Sequence, residues 1–418
     1  MTYIILGKRR IKYGVQYAIL NQDLFNLFAI TLSARGTAGS TPALPGYLVR
    51  GISDDVTGNE IVRISEPVTT GLHHYSKTQP WNCNQSLMVL SKTLLDGDTF
   101  VVKLTMTGYF GSNIQWSYTD PNKFYMVTSD PVDSKFTIMT YNSTNNTITR
   151  TAPYNFLAVD SAGKVWDDPS LGGAEGNMSR DNRYCVIQGI YNAVPYSVGV
   201  FDVVLNQFVS PIISNATYGG TSLDYTTISP SGNFVMIRRK GQATGGANML
   251  YTRNLTFIGE IPAGSHQDFG YDKEGNEIYG HVLDNFGYTI LSTNPASLTN
   301  IQIAPDTQLI SLIGNNVGGH TSLRHFKKPG WLGVGGWGTR NESFLVKISP
   351  ISTEGVPKVI PFCAMRSTEK EANGTTGRYA AECKPCWSPD GTKMVFNTDW
   401  GVGGGTIYTI ACILKQTV

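Results

Sequence analysis

The stretch Lys384-Pro-Cys-Trp-Ser-Pro-Asp-Gly-Thr-Lys-Met-Val-Phe-Asn-Thr-Asp399 constrains the whole chain, because variants of it recur along the sequence. Pro389 presets φ, Asp390-Gly391 supplies turn chemistry, and Met394 and Phe396 follow at period two, which reads as strand, tight turn, strand. Six further copies turn at Asn84-Gln85, Pro121-Asn122, Asp181-Asn182, Ser231-Gly232, Glu274-Gly275 and Pro329-Gly330. They lie roughly 40 to 60 residues apart, room for a four-stranded unit and a loop. Most are followed by a second alternating run, such as Phe136–Tyr141, Ser197–Phe201, Phe344–Ile348 and Thr406–Ile410, expected to form the outer strands. One hairpin cannot bury its apolar face alone, but copies arranged around an axis can. The expected fold is all-β: a seven-bladed β-propeller of four-stranded antiparallel blades over residues 47–418, with a short N-terminal appendage. Two stacked sandwiches would not produce such regular turns.

Residues 1–46 carry no copy and end in the linker-like run Arg35-Gly-Thr-Ala-Gly-Ser-Thr-Pro-Ala-Leu-Pro45. Within them Tyr13–Phe28 reads as a helix or two short strands, and the segment as an arm able to dock on a protein partner. Charged residues are 15% of the chain and the net charge is +2, so no basic footprint exists and nucleic acid is excluded as a partner. A weakly charged surface rich in Asn, Thr and Tyr instead suits an oligo- or polysaccharide. No run reaches the roughly 18 apolar residues of a membrane span. The expected setting is extracellular, periplasmic or a virion surface rather than cytoplasm, with a phage virion or tail as one example. The 6 cysteines are too scattered for a disulfide framework, and Cys383-Lys-Pro-Cys386, with no second such pair, reads as small residues entering a blade.

In a propeller the residues just ahead of each turn copy point at one shared axis. Those positions hold His73, His74, Gln115, Glu175, Asp224, Tyr225, His266, Asp268, His320, Arg324, Glu382 and Lys384, which takes in four of the 6 histidines. Such a set can ligate one divalent cation (Mn, Ca or Zn), run acid/base chemistry, hydrogen-bond a sugar, or hold only ordered water. Most tryptophans fall in strand register and are expected between blades, whereas Trp337 and Trp400, beside Gly-rich runs, are expected near a surface where a sugar could stack.

The Trp-Ser-Pro-Asp-Gly-Thr-Lys-x-x-Phe copies resemble the TolB-type propeller repeat, and the order of blade openings over about residues 70–418 resembles oligogalacturonate lyase. That family cleaves uronate oligosaccharides by β-elimination with a histidine base, an arginine and a metal. The resemblance implies His266 in Ser265-His-Gln-Asp-Phe269 as base, with Arg324 and Tyr225 assisting, and His320 as a metal ligand with Glu382. His73, His74, Lys77, Asp268, Trp337 and Lys384 are then expected to contact substrate. Two departures stand out. Glu382, Cys383 and Lys384 occupy the place of two family histidines flanking a proline. The family arginine falls near Asn248, with Arg238 and Arg239 as nearby substitutes. Loss of metal ligands would remove the main stabiliser of an enolate. The sequence therefore favours a glycan-recognising, surface-binding or adhesive module over an active polysaccharide lyase, with a structural protein-interaction propeller as a third reading.

Overall fold

The computed structural model describes residues 3–6, 9–12, 42–68, 73, 75–107, 114–128, 135–156, 166–218, 222–239, 248–261, 267–281, 286–304, 320–335, 342–348, 359–367, 383–401 and 406–415. Its architecture is a seven-bladed β-propeller of antiparallel blades. Blade 2 runs from the axis outward through Gln115–Trp116, Lys123–Thr128, Lys135–Asn142 and Thr147–Asn155. Blades 3 to 6 repeat the pattern, opening at Trp166–Leu171, Leu223–Ile228, Asp268–Tyr271 and Thr321–Ser322. Blade 1 has three full strands, Leu87–Leu90, Thr93–Asp96 and Val102–Thr105, and its innermost position is reduced to a bridge between Trp81 and Met88. The runs expected as outer strands occupy the third position, and a fourth strand lies outside them. A separate hairpin pairs Tyr3–Leu6 with Arg9–Lys12; Tyr13–Phe28 lies outside the described residues.

The ring closes through the chain's two ends. Blade 7 takes Cys386–Trp387, Lys393–Thr398 and Tyr408–Ile413 from the C-terminal side and its outermost strand, Glu60–Arg63, from the N-terminal side. Ile61 pairs with Cys412 and Val62 with Ala411.

The turn copies do what their chemistry demands. Gln85, Asn182, Gly232, Gly275, Gly330 and Gly391 all take positive φ, between 62° and 88°. The apolar residues of each hairpin then face the neighbouring blade, so the core is divided among the blade interfaces. Ile278 and Tyr288 of blade 5 pack on Leu323, Leu332 and Val334 of blade 6. Trp81, Met88 and Leu90 of blade 1 pack on Cys386, Val395 and Ala411 of blade 7. Corresponding clusters join every other adjacent pair. Trp387, the aromatic of the clearest copy, lies flat against blade 6: a Cβ on Gly333 would come within 2.3 Å of its ring, so only glycine fits there.

Trp400 corrects its sequence expectation. It is 2% exposed, donates Nε1–H to the Pro42 carbonyl at 2.9 Å, and carries the Arg366 guanidinium over its ring at 4.8 Å. The segment preceding the ring covers it, which the Gly-rich run after it did not signal. Trp337 lies outside the described residues. All 6 cysteines are free and buried; Cys383 and Cys386 enter blade 7 as small residues.

His325 ties fold stability to pH. Its Nε2–H donates to the Trp331 carbonyl at 2.8 Å, Nδ1 is buried with no hydrogen-bond partner among the described residues, and burial pulls the pKa from 6.5 to about 4. The folded state therefore refuses a proton that the unfolded chain accepts. This contribution is complete above pH 6.5 and is lost as pH falls through that window, by about 3 kcal/mol at full extent. Urea melts at pH 7 and pH 4.5 should show His325→Gln flattening the acid limb; an unchanged slope would refute this role.

Candidate functional site

Each inner strand starts at one end of the axis and reaches its turn at the other, so residues ahead of the turns meet across the ring. At the strand-opening end a turn closed by Thr78 N–H on the Tyr75 carbonyl, at 3.0 Å, lifts Lys77 into the axis. Opposite it, a 3₁₀ turn at Gly172–Ala174, with Gly173 at φ 70°, delivers Glu175. Lys77 Nζ lies 2.6 Å from Glu175 Oε2 and 3.2 Å from the ring centre of Tyr225. Lys77 is fully buried beneath the pair, whereas the Glu175 side chain keeps 14% of its surface exposed. Burial pulls the Lys77 pKa down against the opposing pull of Glu175, and pushes the Glu175 carboxyl up against the opposing pull of Lys77. Burial also lifts the Tyr225 phenol well above its usual range.

Around this pair stand Tyr75, His320 and Lys384. His320 Nε2 is 3.1 Å from the Tyr75 hydroxyl, with the two rings edge-on at 4.9 Å, and the Lys384 ammonium lies 5.4 Å from the Tyr75 ring centre. His73 is buried, donates Nε2–H to the Lys384 carbonyl at 2.8 Å, and is pinned through its backbone to the Asn397 side chain. Blades 1, 3, 4, 6 and 7 thus supply one cluster: Tyr75, Lys77, Glu175, Tyr225, His320 and Lys384.

Deeper on the axis, Asp268 and Arg324 form a bidentate pair, Nε to Oδ2 and Nη2 to Oδ1, both at 2.9 Å. Asp268 also accepts the backbone N–H of Leu323 at 2.7 Å and of Phe269 at 2.9 Å. Arg324 reaches across the ring to donate Nη1–H to the Tyr118 hydroxyl at 3.1 Å. Asp268 and Arg324 therefore plug the axis and face each other. Nearby, Asn248 donates to the Gln267 side chain and to Tyr279 Oη, each at 2.9 Å.

Of the sequence-derived residues, the structure unites Lys77, Tyr225, His320 and Lys384, sets His73 behind Lys384, and separates Asp268 and Arg324 into the plug. His74, His266 and Glu382 lie outside the described residues. Among the described residues no group of three or more His, Cys, Asp and Glu could hold a metal, and the described metal candidate, His320, turns Nε2 to a tyrosine. The described donors therefore do not make a metal site. Sequence reasoning gave Tyr75 no role, although an aromatic residue opening the first copy was its signal.

No sequence-family profile matches the chain, and no curated protein matches it. Solved structures do. An oligogalacturonate lyase in complex with manganese aligns at 13% identity and TM-score 0.57, covering 89% of this chain and 97% of that one. The oligogalacturonate lyase of Vibrio parahaemolyticus aligns at 12% identity and TM-score 0.53, covering 89% and 99%. TolB from Acinetobacter baumannii aligns at 13% identity and TM-score 0.32, covering 55% and 54%, too low to inform blade number or site. The two lyase likenesses establish the fold alone. No helix among the described residues is long and apolar enough to cross a membrane.

Proposed function

We propose that the strand-opening end of the axis binds an oligo- or polysaccharide, and that the chain works as a glycan-recognising, surface-binding module. The observation that carries this reading is the Lys77–Glu175 pair, whose lysine is fully buried while its carboxylate stays open to solvent. A carboxylate held in place by a buried ammonium accepts from vicinal sugar hydroxyls without reorganising, and charge-assisted bonds of this kind contribute about 1.5–3 kcal/mol each. Tyr75 and Lys384 frame it with an aromatic face and an ammonium. A charged fraction of 15% supports a hydrogen-bonded ligand over a polyanionic nucleic acid. A virion or tail surface is one setting that suits an adhesive module of this composition.

Glycan-array and titration measurements test the reading. Glu175→Gln, which keeps the side-chain shape, should weaken binding at least tenfold while the thermal midpoint stays near that of the wild type. Failure of the wild type to bind any neutral or acidic polysaccharide would end the proposal.

A second reading, uronate β-elimination, rests on the fold shared with oligogalacturonate lyase and on a buried lysine 3.2 Å above a tyrosine ring. It requires an ultraviolet-absorbing unsaturated product from uronate polysaccharides, and a loss of that product in His266→Ala.

A further inference from the structure

The turn end of the axis carries a second constellation, independent of the cluster above. Arg180 follows the inner strand of blade 3, and its backbone N–H donates to the Pro230 carbonyl of blade 4 at 2.7 Å, which fixes its position. Its guanidinium lies 4.4 Å from the ring centre of Tyr271 in blade 5 and 5.8 Å from that of Phe326, beyond the inner strand of blade 6. Phe326 in turn packs edge-on against Tyr118 of blade 2, with ring centres 5.0 Å apart. The Tyr118 hydroxyl accepts from Arg324, so its own proton is left to donate elsewhere.

Arg180 has no counter-ion. Its side chain makes no hydrogen bond and no ion pair among the described residues. The carboxylates of the surrounding turns are each occupied locally. Asp181 accepts from Ser179 Oγ and the Arg183 N–H, and Asp272 from the Asn276 side chain and N–H. Asp390 accepts from Ser388 and Thr392, and Asp120 from the Asn122 N–H with Lys123 beside it. Glu277 spends both oxygens on Ser231, each at 2.6 Å. A half-buried guanidinium, stacked flat on an aromatic ring with its edge unused and a second arginine behind it, is preorganised for an oxyanion in the plane of its fork.

We propose that this mouth is an anion site, in which Arg180 grips a carboxylate or phosphate group, Tyr118 donates a further hydrogen bond, and Phe326 and Tyr271 bound the pocket. A carboxylate carried on a flat apolar body fits best, because two aromatic rings flank the fork. The site does not depend on the glycan reading, since its residues lie at the opposite end of the inner strands from Glu175.

Isothermal titration of the full chain with benzoate and with inorganic phosphate tests the site and separates the two anion classes. Wild-type protein should bind benzoate more tightly than phosphate, with affinity falling as salt rises. Arg180→Met should weaken both at least tenfold, Tyr118→Phe about threefold, and Glu175→Gln neither. Thermal melts of Arg180→Met should match the wild type, because no internal partner is lost. Absence of binding to both anions at tens of millimolar, or equal binding in Arg180→Met, would overturn the site.

Discussion

Asp268→Ala should cost about 4 kcal/mol, more than any other single substitution on the axis. The carboxylate is fully buried and accepts from both edges of Arg324 and from the N–H groups of Leu323 and Phe269. Removing it leaves a guanidinium 95% withdrawn from solvent, together with two backbone donors that had been satisfied. A buried charge stripped of its partner typically costs 3–5 kcal/mol, whereas replacing both members by apolar groups is often nearly neutral. Arg324→Leu in the Asp268→Ala background should therefore recover part of the loss, and a double-mutant cycle in urea would measure the coupling. A loss below about 1 kcal/mol for the single variant would mean that water reaches the plug and solvates Arg324.

Deleting residues 1–66 should have the second large effect. It removes the outermost strand of blade 7, Glu60–Arg63, with its four paired positions against Tyr408–Ile413. The deletion also withdraws Ile61, Val62 and Ile64, all 3% exposed or less, worth roughly 6 kcal/mol of apolar burial together. Ion pairing between Arg50 and Glu60 and the bonds from Asn59 to the Phe362 carbonyl go with them. What remains is an open edge strand with an apolar face, the usual template for chain-to-chain pairing. Size-exclusion chromatography should show aggregation, and a melt should lose its single cooperative transition. A monomer melting within a few degrees of the intact chain would show that the ring does not need this seam.

The turns of this fold were legible because turn chemistry is local. Ser-Pro-Asp-Gly at 388–391 and its relatives need positive φ at one residue, and the side chain at that residue announces it. Blade 1 was harder to read, since its innermost strand shrinks to the single bridge of Trp81 to Met88, a length set by neighbours across the ring. Site membership was legible in part for the same reason. Counting back from each turn finds Glu175, Tyr225, His320 and Lys384, but spacing cannot say which of them meet. Whether Arg324 faces the axial ligand or Asp268 depends on contacts made 56 residues apart, and only the assembled ring decides it. Arg180 went unnoticed because it sits just ahead of a turn in a run of polar residues; its meaning lies in the acids that do not reach it.

The shared composition of blade 7 places both ends of the described propeller at one blade: Tyr47 bridges to Arg63, and the Lys415 N–H donates to the Asn59 side chain. A ring whose ends meet is indifferent to where it is cut. Joining residues 47 and 415 by a short flexible linker and reopening the chain at the exposed turn around Gly275 would yield a circular permutant with the same interfaces. Anything tethered to either natural end is presented from the rim of that same blade.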